Sequence, residues 1–307
     1  MGLKSLAPLH ALAPLHALLL LWALAVGAQQ CNAMEEAQAD PKILGFTVTA
    51  EYPHDPHAFT QGLVFDRDCS NVANCVDIFW ESTGMYGEST LRKTVVSTGE
   101  VKAVIPLPKT VFAEGLARVG DTLYQLLWQT GMIYKYQIMG NGSSAKQTGE
   151  VQGPLKDGWG LTSNDSHLIA TDSSEVVYVI DPATMQIVRK ISVHDGDRPV
   201  KWLNELEMIN GELWANVWQT ECIARINMNT GKVTHWMLLK GLREGLQARH
   251  PLQRDLDVLN GIAYDHVSKR VFITGKNWPR IFEIVPKVPG PLLSMTLSQV
   301  RAACIPA

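Results

Sequence analysis

Short stretches in which apolar and polar residues alternate recur along most of the chain. Patterns such as "TLYQLLW", "HLIATD", "ELWANVW" and "RVFITG" are each followed by a second one, "MIYKYQI", "VVYVID", "IARINM" or "RIFEIV". They are rich in Val, Ile, Tyr, Phe and Trp and are separated by Gly, Asn and Asp turns, which is typical of β-strands. The alternation therefore predicts an all-β protein.

A related short motif opens each of these units. It reads "TQGLVFD" at Thr60, "AEGLARV" at Ala113, "GWGLTSN" at Gly158, "NELEMIN" at Asn204 and "LNGIAYD" at Leu259. Four strands per unit at a period of about 45 to 55 residues is typical of propeller blades. We therefore predict a five-bladed β-propeller with the motif on the innermost strand of each blade.

This register predicts an axial channel lined by one residue from each motif. The five residues are Gln61, Glu114, Trp159, Asn204 and Asn260. Trp128 and Trp218 follow Glu114 and Asn204 at the same interval, so they occupy equivalent places in two blades. A single Trp in a β-protein more often belongs to the core, but three beside polar channel residues favour a pocket with apolar walls.

Glu114 is the one carboxylate in the apolar stretch "VFAEGLA". Burial disfavours the ionised form, so its pKa should rise toward the range useful for general acid/base catalysis. A structural carboxylate that accepts hydrogen bonds from neighbouring amides is an equal alternative on spacing alone.

The sequence predicts no zinc site and no nucleophile-elbow serine. His54 and His57 flank Pro56, which favours a loop over a metal site. Glu205 and Glu207 are expected to face a shared turn or to bind a calcium-like ion on the axis, since such ions take oxygen ligands. No cofactor is expected to be needed for catalysis.

The N-terminal residues resemble a secretory leader. A basic residue, an apolar run from Leu15 to Val26 and small residues up to Ala28 predict a signal peptide over residues 1–28. We expect a flexible segment at 29–42 and a single propeller domain at 43–307. The run is too short for a stable membrane anchor.

The charge, the cysteines and the glycosylation motifs indicate which partners and which cellular compartment to expect. The net charge is −3 and the basic residues are scattered, which excludes an electrostatic case for nucleic acid. Five cysteines in a secreted chain predict a disulfide between Cys69 and Cys75, while Cys222 with Cys304 is one option that leaves Cys31 unpaired. The predicted glycosylation sites are Asn141 and Asn164.

Seven ordered motifs resemble the plant and bacterial type of glutaminyl-peptide cyclotransferase. They are "FTQGL", "ESTGMYGEST", "FAEGLA", "DGWGLT", "LNELE", "LWANVW" and "LNGIAYD" followed by "VFITGKNW". The similarity covers about Ile43 to Pro286. The chain departs from the family pattern at Ala113, where the family commonly has Gly, and in two lengthened connections, "CSNVANC" and Leu242 to Asp257.

The resemblance implies a five-bladed propeller that converts N-terminal glutamine to pyroglutamate with release of ammonia. It implies that Glu114 is the catalytic acid/base. It implies a substrate pocket made by the residues Phe59, Gln61, Trp128, Trp159, Asn204, Trp218 and Lys276. The implied substrates are peptides or proteins with N-terminal Gln, and the expected protein is a monomer that is secreted or kept in an endomembrane or vacuolar lumen.

Two other functions stay open at this point. A propeller can be a non-enzymatic binding module, and a calcium-dependent propeller hydrolase would need several axial carboxylates or amides. The segment from Leu242 to Asp257 is expected to be an exposed excursion with a helical turn, or alternatively a lid.

Overall fold

The structure is a computed structural model that describes residues 39–250, 256–288 and 295–306. Antiparallel sheets of four successive strands make up most of it. The N-terminal strand is β1 (Lys42–Pro53). The first sheet contains β2 (Thr60–Asp68), β3 (Val76–Thr83), β4 (Thr90–Val95) and β5 (Val101–Pro106). The second contains β6 (Ala113–Val119), β7 (Thr122–Leu127), β8 (Met132–Met139) and β9 (Ser144–Gln152). The third contains β10 (Leu161–Ser163), β11 (Leu168–Thr171), β12 (Val176–Ile180) and β13 (Ile187–Ser192).

The remaining strands form two more groups of four, joined through the N-terminal strand. A short pair comes first, β14 (His194–Asp195) with β15 (Arg198–Pro199). The fourth group is β16 (Leu203–Ile209), β17 (Glu212–Val217), β18 (Cys222–Asn227) and β19 (Val233–Leu238). The fifth is β20 (Leu259–Asp265), β21 (Arg270–Gly275), β22 (Arg280–Lys287) and β1. The part of the chain that the structure describes also contains two helices, α1 (Leu242–Arg249) and α2 (Leu297–Cys304).

Strand β1 is the outer strand of the fifth group. It pairs antiparallel with β22, and its first residues also pair parallel with β19. The all-β prediction is confirmed, because the strands follow the alternating segments identified in the sequence.

Five buried apolar clusters lie between successive groups of strands. Leu116 and Trp80 pack between the first and second groups, and the next three clusters continue this order. The fifth cluster, which includes Phe272 and Phe79, packs the last group against the first. The first strands of the groups also contact one another in the order β2, β6, β10, β16, β20 and back to β2. The groups are therefore held together by apolar burial between sheets.

A β-bulge interrupts the first strand of four groups at the repeated motif. The register shifts between Thr60 and Gly62 in β2, and at the equivalent places in β6, β16 and β20. The residues at these bulges include Gln61, Glu114 and Asn204. Since a bulge turns a side chain out of the regular alternation, it explains how polar residues leave the apolar faces of their strands.

In the second and third motifs a glycine follows Glu114 and Trp159, where neighbouring first strands approach closely. A Cβ built on Gly115 would lie 2.3 Å from the backbone nitrogen of Leu161, and one on Gly160 would lie 1.8 Å from the carbonyl oxygen of Asn204. Only glycine leaves room for that approach. The recurring "GL" of the motif is therefore a packing requirement.

The described residues form two disulfides, Cys69–Cys75 and Cys222–Cys304. Both pairings named from the sequence are confirmed, and the second ties α2 to β18. Cys31 and the signal-peptide prediction lie outside the described residues, in which no helix is long and apolar enough to cross a membrane.

The described part of the segment after β19 contains the expected helical structure, α1, whose polar side chains are exposed or half-buried. It also buries Leu242 and Leu246 against the cluster between the fourth and fifth groups. Apolar burial on one face of the helix is the reason that it is packed down.

Candidate active site

A cavity of about 460 Å³ opens where the first strand of each group begins and the second strand ends. The residues around it come from four of the five groups and from the segment just before β10. They are Phe59, Gln61, Phe112, Glu114, Trp128, Trp159, Asn204, Trp218, Gln219, Asp257, Val258 and Lys276. Backbone hydrogen bonds fasten these strand ends to each other. The Trp128 N–H donates to Phe112 O (2.9 Å), and the Lys276 N–H donates to Val258 O (3.0 Å).

The eight residues predicted for the site all line this one cavity. They are Phe59, Gln61, Glu114, Trp128, Trp159, Asn204, Trp218 and Lys276. Their roles in catalysis stay predictions. Asn260, placed on the axis by the repeat register, is fully buried behind the cavity and does not line it.

Glu114 presents a carboxyl group that has no hydrogen-bond partner among the described residues. Its side chain is buried, and Ser82 bonds only to its backbone oxygen. Burial raises the pKa of Glu114 to about 8; the positive charge of Lys276 lowers this pKa, and the charge of Asp157 raises it. At neutral pH the group is therefore mainly a carboxylic acid that can both give and take a proton near pH 8.

Lys276 brings a buried cation to the same cavity. Its Nζ lies 4.7 Å from the ring centroid of Phe59, a cation–π contact. Burial lowers the pKa of Lys276, while Glu114 and Asp257 act in the opposite direction. Lys276 and Glu114 influence each other electrostatically but make no ion pair within 4.0 Å.

Two amide side chains add directional polar groups. Asn260 Nδ2 donates to Gln61 Oε1 (3.0 Å), which leaves the Gln61 side-chain nitrogen available to a ligand. The Asn204 side-chain oxygen is buried and has no partner among the described residues. Because an unpaired buried polar atom is unfavourable, a donor on a bound molecule would stabilise it.

Aromatic rings make the walls of the cavity. Phe112 packs edge-on against Trp128 at 5.6 Å between centroids and against Phe59 at 6.1 Å. On the other side Trp159 packs against Trp218 at 5.5 Å. These edge-to-face contacts hold rigid apolar surfaces around the polar groups.

Asp157 lies beside the indoles. Its Oδ1 accepts hydrogen bonds from Nε1 of Trp128 (2.9 Å) and of Trp159 (3.2 Å), and its Oδ2 accepts one from Ser173 Oγ (2.8 Å). Burial would raise the pKa of Asp157, but these bonds outweigh it and hold the pKa below its ordinary value. Asp157 is therefore ionised at neutral pH.

Glu205 and Glu207 do not face the cavity. Glu205 accepts hydrogen bonds from the backbone N–H groups of Leu63 (3.1 Å) and Ile262 (2.6 Å), and so bridges the first strands of three groups. Glu207 accepts one from Thr162 Oγ1 (3.1 Å). The described residues contain no group of three or more His, Cys, Asp or Glu that suits a metal ion, so the expected calcium-like ion is not supported.

Four lining residues were missed from the sequence. They are Phe112, Gln219, Asp257 and Val258. Phe112 and Val258 stand two positions before the channel residue of their motifs, as Phe59 does, so the repeat register held the signal for them. Asp257 comes from the end of the non-repeating segment, for which the register gives no expectation.

The molecule is thus an all-β protein with a Trp-lined pocket that holds an unpaired carboxyl group, an amine and two amides, which suits a small polar ligand. The family model described as glutamine cyclotransferase matches residues 19–285. A curated glutaminyl-peptide cyclotransferase from Arabidopsis thaliana is 42% identical over 238 residues, which is 77% of this chain and 70% of the relative. The crystal structure of Myxococcus xanthus glutaminyl cyclase has a TM-score of 0.71 at 31% identity and covers 82% of this chain and 100% of its own.

This chain belongs to the glutamine cyclotransferase family.

Proposed function

We propose that this protein is a glutaminyl-peptide cyclotransferase, an enzyme that converts the N-terminal glutamine of peptides or proteins to pyroglutamate and releases ammonia. The observation that carries the proposal is the buried, unpaired carboxyl group of Glu114 in a Trp-lined pocket of a family member. The proposed reaction is an acyl transfer, because the acyl group of the glutamine side chain moves from one nitrogen to another.

We further infer that the five groups of strands are the blades of a five-bladed propeller. The support is the cyclic order of contacts between first strands and the five apolar clusters, one between each neighbouring pair. The N-terminal strand, as the outer strand of the last blade, would then join the two ends of the chain into the ring. Residues 43–307 are accordingly proposed as one domain.

The reaction needs no nucleophile from the protein. The substrate α-nitrogen attacks its own side-chain amide carbon, a nitrogen–carbon bond forms, and the bond from that carbon to the amide nitrogen breaks. One proton leaves the α-nitrogen and one reaches the departing nitrogen, so the products are a five-membered lactam and ammonia. Catalysis then depends on holding a folded conformation and on moving one proton.

Glu114 is the proposed proton carrier. Its pKa of about 8 is close to that of a peptide α-amine, ~7.7–8.0. The pair can therefore share one proton with little free-energy difference between ammonium with carboxylate and free amine with carboxylic acid. The second form contains both the nucleophile and the acid that protonates the leaving group.

The other lining residues are proposed to bind and orient the glutamine. Lys276 and the Gln61 side-chain nitrogen are donors suited to a carbonyl oxygen or to the oxyanion that develops there, and Asn204 Oδ1 suits an N–H group. The rings of Phe59, Trp128, Trp159 and Trp218 are proposed to enclose the side chain and exclude water.

The test is ammonia release from a synthetic peptide that begins with glutamine, together with loss of one ammonia from its mass. The same peptide with an acetylated α-amine is the matched control, since it keeps the side chain and lacks the nucleophile. Release from the free peptide alone is the expected result. Saturable binding without release would favour a binding module, and release abolished by a chelator would favour a calcium-dependent hydrolase.

The proposed location is the secretory route, with the protein secreted or retained in an endomembrane or vacuolar lumen. Two disulfides support an oxidising compartment. The signal peptide, a monomeric state and glycosylation at Asn141 and Asn164 belong to the same proposal, and both Asn residues are exposed.

A further inference from the structure

Asp157 breaks the repeat pattern at the pocket. The position two residues before the channel residue holds an apolar side chain in the other four motifs: Phe59, Phe112, Trp202 and Val258. The third repeat holds an acid there instead. Ser173, which hydrogen-bonds to Asp157, follows Trp159 at the same interval at which Trp128 follows Glu114. The third repeat therefore has a small hydroxyl residue at the position where the second repeat has an indole. The two exceptions touch each other, with 2.8 Å between Ser173 Oγ and Asp157 Oδ2.

The Asp157 carboxylate accepts hydrogen bonds from two pocket indoles that belong to different strand groups. One oxygen accepts the N–H groups of both Trp128 and Trp159, and the second is held by Ser173. A hydrogen bond to an ionised acceptor is stronger than a neutral one and fixes the direction of the donor. Trp218 in turn packs edge-on against Trp159.

We propose that Asp157 is a positioning residue for the cyclisation: it locks the indoles of Trp128 and Trp159 around the substrate and places a fixed negative charge near Glu114. This inference rests on the proposed function. The charge acts on Glu114 in the direction that keeps a proton on it, since a neighbouring negative charge disfavours a second one. The effect of indole positioning can be separated from the effect of charge. Asp157→Asn removes the negative charge and keeps an acceptor oxygen, whereas Asp157→Ala removes both.

The experiment compares Asp157→Asn and Asp157→Ala with wild type by ammonia release from an N-terminal Gln peptide across pH. The matched control is Asp172→Asn, which removes a neighbouring carboxylate that bonds to Tyr178 and Ser174 and does not line the pocket. Near-ultraviolet circular dichroism of each protein reports the order of the indoles without needing activity.

For Asp157→Ala we expect KM to rise about 10-fold or more, since two indole hydrogen bonds are lost, and the aromatic dichroism to weaken. For Asp157→Asn we expect a smaller rise in KM and a shift to lower pH of the Glu114 limb in the profile of kcat/KM. Both effects should exceed those in Asp172→Asn.

A KM and a pH profile for both Asp157 variants within the range of the control would overturn the proposal, as would unchanged aromatic dichroism in Asp157→Ala. If Asp157→Ala does not fold, the pH profile of Asp157→Asn decides. Absence of ammonia release in wild type would instead refute the proposed function, and the dichroism would still report whether Asp157 orders the indoles.

Discussion

Replacing Glu114 with Gln tests the proton-transfer role directly. The substitution keeps the shape of the side chain, and the carboxyl group has no hydrogen-bond partner among the described residues that could be lost. Because the pKa of Glu114 is about 8, wild type carries mainly a neutral carboxylic acid at pH 7, so the variant should bind substrate with nearly the wild-type KM.

The magnitude follows from what an amide cannot do. General acid/base catalysis contributes about 10²- to 10⁴-fold, so kcat should fall by that factor, which corresponds to about 3 to 5 kcal/mol in the activation free energy. Gln can still donate a hydrogen bond but cannot transfer the proton. The loss should therefore appear in kcat and leave KM nearly unchanged.

The assay is steady-state ammonia release from an N-terminal Gln peptide at pH 7, with Glu207→Gln as the matched control. Desolvation also raises the pKa of Glu207 to about 8, but Glu207 lies outside the pocket. A kcat for Glu114→Gln within about 10-fold of wild type would refute the proton-carrier role, given that general acid/base catalysis is worth more than that.

Stability gives an independent check on the same residue. The pKa of Glu114 is higher in the folded than in the unfolded protein. Its ionisation therefore lowers the free energy of unfolding as pH rises from about 4.5 to about 8. Glu114→Gln removes this cost, so the free energy of unfolding of the variant should rise relative to wild type over that interval. Urea unfolding at several pH values measures it.

Four further outcomes are expected. The profile of kcat/KM against pH should be bell-shaped with a maximum near pH 8. Lys276→Met should move the limb of this profile that belongs to Glu114 to higher pH, and it should lower kcat about 10²- to 10³-fold through loss of oxyanion stabilisation. A limb that moves to lower pH would contradict the conclusion that the positive charge of Lys276 lowers the pKa of Glu114. Glu205→Ala leaves two backbone amides without their acceptor and should cost about 2 to 5 kcal/mol in urea unfolding, whereas a cost below about 1 kcal/mol would contradict the bridging role. Gly160→Ala places a Cβ 1.8 Å from Asn204 O and should lower the unfolding free energy by about 3 kcal/mol or more, so a wild-type melting temperature would be inconsistent with that contact.

Much of the site was accessible from the sequence because it repeats. Gln61, Glu114 and Asn204 occupy one register position, and Trp128 and Trp218 occupy another, so the alignment of the motifs predicts that they lie together. The structure adds the mechanism of that placement, a bulge at the polar residue and a close strand approach beside it.

Contacts between different strand groups were not predictable from the sequence. The repeat places Asp157 two residues before Trp159, but only the packed structure brings its carboxylate to Nε1 of Trp128 in another strand group. His54 is similar, since its Nε2 lies 3.0 Å from Glu81 Oε1 in a buried pair that no spacing rule suggests.

Local pattern thus determined the strands, the register and the residue types at the pocket, because alternation and turn residues act over a few neighbours in the chain. From the spacing of the motifs alone, Glu114 could be a structural carboxylate or a general acid/base. Tertiary structure decided what surrounds it: the loss of water, the nearby charge of Lys276 and the absence of a hydrogen-bond partner among the described residues. Those properties depend on side chains that are remote in sequence, which is why the raised pKa of Glu114 emerges only in the folded chain.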